Sequence, residues 1–562
     1  MFLQKTQAGF TVCDGKVSYE FECSVCPELD GGEYTLEIIG EIPTPRLKDT
    51  DRLILPIDEG VAINVGKKIE EGEMDGSVTS SFIAREATVS MLAVERDGRF
   101  LLICIDNGID AYYSVKNEGE GYKLRSWCNN EHKITYCICD SLPDACRKYK
   151  EIKGLSPITL EEKFKSLPEA EKLLGGIFWV FGDNYDEVMY ADYDTDASPL
   201  AGDGIMHVAK ELKDGGVNDA MFGIFFDGDS KYTKDLYEKY GYISTQYDNY
   251  DDVCPPSFID IVPNNRIKNC GYTYRRLKDF PEGIRILQNG NPAPAWALKG
   301  YDGEMHKQSK LCPKVAAQRM KEEIPKIIEE YPYYKGRFID VFGTNVTECF
   351  SDKHPVGKRE CLEIKKEAFK FLGDIGLIAG TEDGTESVAD YLVYTEGMHS
   401  PVIFRYKNSG RLHAQMYSRE RMEHTKRYML DPSCRVPLWQ LLFHDCMLTF
   451  PYWGDSTASS HELIREKILY CCLFGCPPLY SFKICDFETE KTDILESYRR
   501  IYEVISKVGM LKMTDWQVLS DDYSLQKTVF GDRYEVIANF SDREVTYQDI
   551  SIDAKDFCFK EI

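Results

Sequence analysis

Two carboxylates stand where a folded chain could set them to work on one bond. Asp340 ends the apolar part of Arg337-Phe338-Ile339-Asp340-Val341-Phe342-Gly343-Thr344, which reads as a short strand giving way at once to a loop. Glu382 stands in Gly376-Leu377-Ile378-Ala379-Gly380-Thr381-Glu382-Asp383-Gly384, where Gly380 and Gly384 permit close backbone approach and a sharp turn. They are 42 residues apart, about one strand–helix–strand repeat, which predicts neighbouring strands and the same sheet end. Two carboxyl groups so placed are the minimum for glycoside hydrolysis, one as acid and the other as nucleophile or base. Position alone also fits a loop-capping or ion-paired Asp340. Asp383, Glu386 and Asp390 follow Glu382 closely, and spacing does not choose between solvated loop charges and substitutes for Glu382.

Other chemistries lack their residues. The chain contains no GxGxxG, GxxxxGK[ST], GxSxG or HExxH, which removes support from nucleotide-dependent, serine-hydrolase and zincin readings. The one CxxC, Cys23–Cys26, lies in an alternating strand pattern with no second pair at zinc-site spacing, so no metal and no cofactor are expected. Asp-rich loops near Asp227 and Asp251 leave a structural calcium open. The 20 cysteines are spread over apolar stretches and read as reduced small hydrophobes.

Positioning these carboxylates requires a parallel sheet, and the pattern from Leu173 onward predicts one. Apolar runs at Gly176–Phe181, Ala220–Phe226, Tyr242–Gln246, Ala295–Leu298, Arg337–Val341, Gly376–Ala379, Val402–Tyr406, Leu438–Leu448 and Pro477–Ser481 read as strands. Helical periodicity over Ser230–Tyr240, Pro313–Glu330 and Lys358–Leu372 lies between several of them. About eight such units is the count of a (β/α)8 barrel, though periodicity alone also fits a doubly wound open sheet. Residues 1–140 alternate with period two, as in Val17–Val25, and predict an N-terminal β-sandwich. A helical linker over 141–172, a barrel over 173–510 and a small C-terminal β domain over 511–562 complete the expected multidomain α/β architecture.

Composition bounds the partners. Among 562 residues, 68 Lys and Arg against 93 Asp and Glu leave a net charge of −25, which repels phosphate backbones and argues against nucleic acid. Aromatic residues make up 12%, a supply of flat apolar faces with polar tips such as sugar clefts employ. No run approaches 18 apolar residues, so no membrane-spanning helix is expected. The start MFLQKTQAGFTVCDG lacks the basic and apolar regions of a secretory signal, and the expectation is a cytoplasmic protein of unspecified oligomeric state.

Several segments together resemble glycoside hydrolase family 129 and, more distantly, family 101. They are Phe338-Ile339-Asp340-Val341, Glu348-Cys349, His354-Pro355 with Arg359, Gly380–Gly384, Thr395-Glu396-Gly397-Met398-His399-Ser400-Pro401, Arg435–Leu438 with His444-Asp445, Trp453–Ser456 and Gly475–Tyr480. The similarity in order and spacing runs from about Gly175 to Tyr480. It implies a retaining exo-α-glycosidase releasing α-linked N-acetylgalactosamine from small carbohydrates or glycopeptides, with Asp340 as nucleophile and Glu382 as acid/base. The loop Tyr247-Asp248-Asn249-Tyr250-Asp251-Asp252 resembles a sugar-binding loop of that family, with Asp248 and Tyr250 as substrate contacts. His444, Asp445, Trp453, Asp455 and Trp296 complete the expected substrate-binding set. The acid/base loop departs from the family's Ser-Glu-Gly-Gly-like run, which leaves the aglycone open. An α-galactosidase of the same architecture and a non-catalytic carbohydrate-binding protein are the alternatives.

Overall fold

The computed structural model describes the chain except residues 1, 31–32, 68–76, 85–86, 119–120, 192, 264–266, 268–270, 345, 397–418, 452–455 and 459. The expected strand at Val402–Tyr406 lies outside the described residues.

Among the described residues, eight parallel strands form the central sheet: β1 (Ile177–Phe181), β2 (Met221–Ile224), β3 (Ile243–Asp248), β4 (Tyr334–Ile339), β5 (Ile378–Thr381), β6 (Tyr394–Thr395), β7 (Leu448–Thr449) and β8 (Leu479–Lys483). Their spatial order is β7-β6-β5-β4-β3-β2-β1-β8, so the last strand in sequence pairs with the first. That order is cyclic, unlike the doubly wound arrangement, in which the order reverses at a switch point. No pairing between β7 and β8 is present among the described residues, so the sheet as described is open along that edge. Helices α1 (Gly204–Asp214), α2 (Pro313–Glu330), α3 (Lys358–Asp374), α4 (Leu438–Phe443), α5 (Ile464–Phe474) and α6 (Ile484–Val508) alternate with these strands. The stripe Ala316, Met320 and Ile324 of α2 is buried, as the 3.6-residue period requires.

Two expected strands are corrected. Leu438–Leu448 begins as α4, whose six residues are all buried, and only Leu448–Thr449 pairs as a strand. A continuous apolar run fits a helix enclosed on every side as well as a buried strand. Ala295–Leu298 is a strand, Pro294–Lys299, but it belongs to a separate three-stranded antiparallel sheet with Asp252–Val253 and Met305–Lys310, inserted between β3 and α2. Strand β6 has two residues, too few to leave a periodic signal.

Among the described residues, twelve strands fill the segment before the first helix, in a three-stranded and a nine-stranded antiparallel sheet whose apolar residues share a core including Phe10, Tyr19, Leu53, Leu101 and Tyr136. The hairpin of Met91–Arg96 and Arg99–Ile105 turns through Asp97 and Gly98, both with positive φ (49° and 73°), the conformation that Asp-Gly turns favour. Beyond α6, strands Met513–Val518, Leu525–Phe530, Tyr534–Asn539 and Asp556–Glu561 form a four-stranded antiparallel sheet. Among the described residues no helix is long and apolar enough to cross a membrane.

Candidate active site

The ladders fix the level at which each strand releases its chain. Ile339 of β4 is paired with Thr381 of β5, and Thr381 with Thr395 of β6. The next residues, Asp340, Glu382 and Glu396, therefore leave three adjacent strands side by side at the carboxyl ends, where parallel α/β sheets gather catalytic groups. Each is partly exposed, so solvent and ligand can reach all three. Glu396 lies in a segment of the resemblance but bears no mark in the sequence, because β6 is too short to be read and so does not reveal Glu396 as a strand end.

Asp340 is held from the β3 side. Tyr247 Oη donates to its Oδ2 at 2.7 Å, and Asn249 Nδ2 donates to the same oxygen at 3.2 Å. Burial and the neighbouring charge of Glu382 push the Asp340 carboxyl well above the ordinary range, with Asp252 and Glu396 adding to the shift. The following residue, Val341, has φ 46°, a strained conformation for a β-branched side chain. Such strain persists only where surrounding contacts enforce it, and it clusters at functional sites. Lys365 of α3 supplies part of that enforcement by donating to the carbonyls of Phe342 (2.7 Å) and Thr344 (2.9 Å).

Glu396 is set by an indole. Trp179 Nε1 on β1 donates to Glu396 Oε2 at 2.7 Å, and the ring lies over Gly223 of β2, where a Cβ would meet it at 2.1 Å. Burial, reinforced by Glu382 and Asp383, pushes the Glu396 carboxyl up to about 8, although the indole opposes the shift. Tyr247 contacts the rings of Phe225, Tyr272 and Phe338 at centroid distances of 4.4, 5.1 and 5.7 Å, which gives the site an aromatic wall.

The carboxylates following Glu382 go elsewhere. Glu386 accepts from Ser90 Oγ at 2.7 Å and from Tyr149 Oη at 2.5 Å, with Lys153 at 3.5 Å, and so joins the N-terminal strands and first linker helix to the sheet. Asp390 accepts from the Ile158 N–H at 2.9 Å. Asp383 is buried, with its carbonyl where a Cβ on Gly343 would sit, 2.2 Å away.

The expected substrate contacts fare unevenly. Asp248 is fully buried and ion-paired with Arg337, with Arg275 3.6 Å away. Burial raises its pKa, but Arg337, Arg275 and Arg276 outweigh that and hold it below the ordinary carboxylate value. It lies at the base of the β3–β4 ends, held among these arginines. Tyr250 is buried beneath the Arg276 guanidinium, 4.3 Å from its ring centroid, and lines a cavity with Val341 and Phe342. His444 and Asp445 precede β7 and thus sit toward the opposite, amino end of the sheet. His444 is buried between the carbonyls of Leu511 (2.5 Å) and Gly475 (2.9 Å). Trp296 is half exposed on the inserted antiparallel sheet, and Trp453 and Asp455 lie outside the described residues. Position-by-position carry-over does not anticipate Tyr247, Asn249, Trp179 or Glu396, whose roles arise from pairing across strands.

A family model described as glycosyl hydrolases related to family 101, family 129, matches residues 405–529. No curated protein sequence matches the chain. Among solved structures, the α-N-acetylgalactosaminidase NagBb of Bifidobacterium bifidum in complex with GalNAc superposes with a TM-score of 0.66 at 16% identity, over 99% of this chain and 91% of that one. Its ligand-free form gives 0.68 at 17% identity, over 98% and 91%. A family 31 dextranase of Flavobacterium johnsoniae complexed with glucose gives 0.51 at 8% identity, over 100% and 71%. At these identities the likeness to the solved structures is one of fold. The family-model match agrees with the family 129 resemblance read from the sequence and supports a glycoside hydrolase.

Proposed function

We propose that the protein is a retaining exo-α-glycosidase that releases terminal α-linked N-acetylgalactosamine from small carbohydrate or glycopeptide substrates in the cytoplasm, and that the cyclic strand order belongs to a (β/α)8 barrel. The observation carrying the proposal is the ladder register, which brings Asp340 and Glu382 to one level on adjacent strands. The family-model match and the fold shared with NagBb support the choice of sugar.

The substrate dictates the mechanism. In an α-linked 2-acetamido galactoside the acetamido group is cis to the leaving group and cannot reach the anomeric carbon from behind. In a retaining reaction a carboxylate of the enzyme does so. Asp340 attacks that carbon while Glu382 delivers a proton to the departing glycosidic oxygen, forming a glycosyl ester on Asp340. Glu382, now a carboxylate, takes a proton from water, and the water oxygen displaces Asp340 to give the free sugar. Tyr247 and Asn249 hydrogen-bond the Asp340 oxygen and hold the nucleophile in place for both displacements. Burial and the neighbouring charge of Glu382 raise the Asp340 carboxyl above its ordinary range, so the two carboxyl groups act on each other electrostatically.

Hydrolysis of a p-nitrophenyl glycoside panel tests this reading. Release from the α-N-acetylgalactosaminide above all others is expected. Preference for the α-galactoside would assign the galactosidase alternative, and binding without turnover the carbohydrate-binding one.

A further inference from the structure

Three soft or borderline metal ligands converge outside the carboxylate row. Cys312 is the residue before α2, while Cys349 and His354 lie on the loop that runs from Asp340 to α3. Their ligating atoms, two Sγ and one imidazole nitrogen, all lie within 4.8 Å of one another, and all three residues are almost entirely enclosed. The geometry points to a structural zinc site formed by Cys312, Cys349 and His354, with a fourth position left for another donor.

Each ligand is oriented for that role by a different contact. His354 Nε2 lies 2.8 Å from the Glu282 carbonyl, which can only accept, so the ring proton sits on Nε2. The lone pair then resides on Nδ1, and Nδ1 faces Cys349 Sγ at 3.5 Å. A ring N–H held by a backbone carbonyl while the other nitrogen faces the ion is the usual outer contact of a zinc-bound histidine. With Zn–S near 2.3 Å and Zn–N near 2.0–2.1 Å, the edge of a tetrahedron between S and N is about 3.5 Å, which matches that separation. The Ile286 N–H donates to Cys349 Sγ at 3.5 Å and orients that sulfur. Cys312 immediately precedes the 18-residue α2, which fixes its position, and its Sγ lies 3.5 Å from the His354 carbonyl. Reciprocal hydrogen bonds between Cys349 and Val356 (2.8 and 3.0 Å) close the loop around its two ligands.

The placement gives the ion a task. Asp340 precedes this loop and Val341 is strained, so the turn after the nucleophile must be held from outside. A zinc ion would fasten the loop to the start of α2 and, through His354 and Cys349, to the segment around Glu282–Ile286. Sequence spacing conceals the site because Cys312 is 37 residues before Cys349 and no CxxC is involved.

Metal analysis tests the inference independently of glycosidase activity. The full chain, purified with reductant, incubated with zinc and dialysed, is expected to retain the ion in a one-to-one ratio by mass spectrometry. Cobalt(II) added to chelator-treated protein is expected to give a thiolate-to-cobalt charge-transfer band and the visible bands of a tetrahedral ion. Cys312→Ser, Cys349→Ser and His354→Ala should each weaken retention by at least tenfold, whereas Cys485→Ser, at an exposed position, should not. The cobalt spectrum of the unaltered chain keeps the test decisive should a variant not fold. Reduced protein that retains no zinc, or a cobalt complex without the charge-transfer band, would overturn the site and leave a thiol–imidazole hydrogen bond. A native Cys312–Cys349 disulfide would overturn it too.

Discussion

Asp340 and Glu382 follow directly on Ile339 and Thr381, which are paired across two parallel strands. Their proximity is therefore a property of the ladder and does not depend on the conformation of a long loop. A one-residue slip in β4–β5 pairing would turn one carboxylate to the other face of the sheet, since side chains alternate along a strand. The buried apolar residues of both strands oppose such a slip.

Removing the nucleophile should stop turnover without unfolding the protein. Asp340→Ala opens no apolar cavity and deletes the covalent step, so kcat is expected to fall by about 10⁴-fold or more, with the thermal midpoint little changed. Tyr247→Phe removes one donor from the same oxygen and is expected to cost roughly 10–100-fold, in keeping with about 1.5–3 kcal/mol for a hydrogen bond to a charged group. Steady-state kinetics alongside thermal unfolding checks both. Asp340→Ala activity within tenfold of the parent would remove Asp340 from its role.

Glu382→Ala should separate substrates by leaving group. Natural glycosides need protonation and should lose about 10²–10⁴-fold, whereas p-nitrophenolate departs unaided and its first displacement should be far less affected. Under double displacement, proton NMR of the parent reaction should show the α anomer first. Equal losses on both substrate types would move the acid/base role along the row to Glu396, and a β first product would exclude a glycosyl ester on Asp340.

Asp248 is expected to act through stability. Asp248→Ala leaves the buried Arg337 without its charged partner, for which about 3–5 kcal/mol of destabilisation is typical. Thermal unfolding should register that loss, and KM in whatever folded fraction remains should stay close to the parent value. A large KM increase with unchanged stability would return Asp248 to the sugar contacts.

Much of this frame can be read in the chain. The positions of Asp340 and Glu382 at strand ends follow from short apolar runs ending in a charge, a pattern that survives without long-range information. The missing parts have specific causes. Two-residue β6 leaves no period to detect, which hides Glu396 as the third strand-end carboxylate. The fully buried α4 has no polar face to reveal its 3.6-residue period. Asp248 stands at a strand end like Asp340, and the arginines that surround it, Arg275, Arg276 and Arg337, form a neighbourhood that no local pattern reveals. His444 lies next to a strand, but at its amino end, a distinction that depends on where α4 stops.

Glu396 makes a prediction about pH. Its carboxyl ionises near 8 in the folded protein and near 4.5 in the unfolded chain. Between these values the folded state retains a proton that the unfolded state has released, so the group's contribution to stability is fully present below about 4.5 and is lost as pH rises through about 8. Glu396→Gln carries no ionisable proton and can still accept from Trp179 through its amide oxygen. Its thermal midpoint relative to the parent should be nearly unchanged below pH 4.5, rise with pH across the window and level off above about 8. Paired unfolding curves at several pH values provide the measurement, with Glu386→Gln as a comparison because Glu386 sits at the interface with the N-terminal strands. A flat difference for Glu396→Gln would mean that this carboxyl ionises in the folded protein at the same pH as in the unfolded chain.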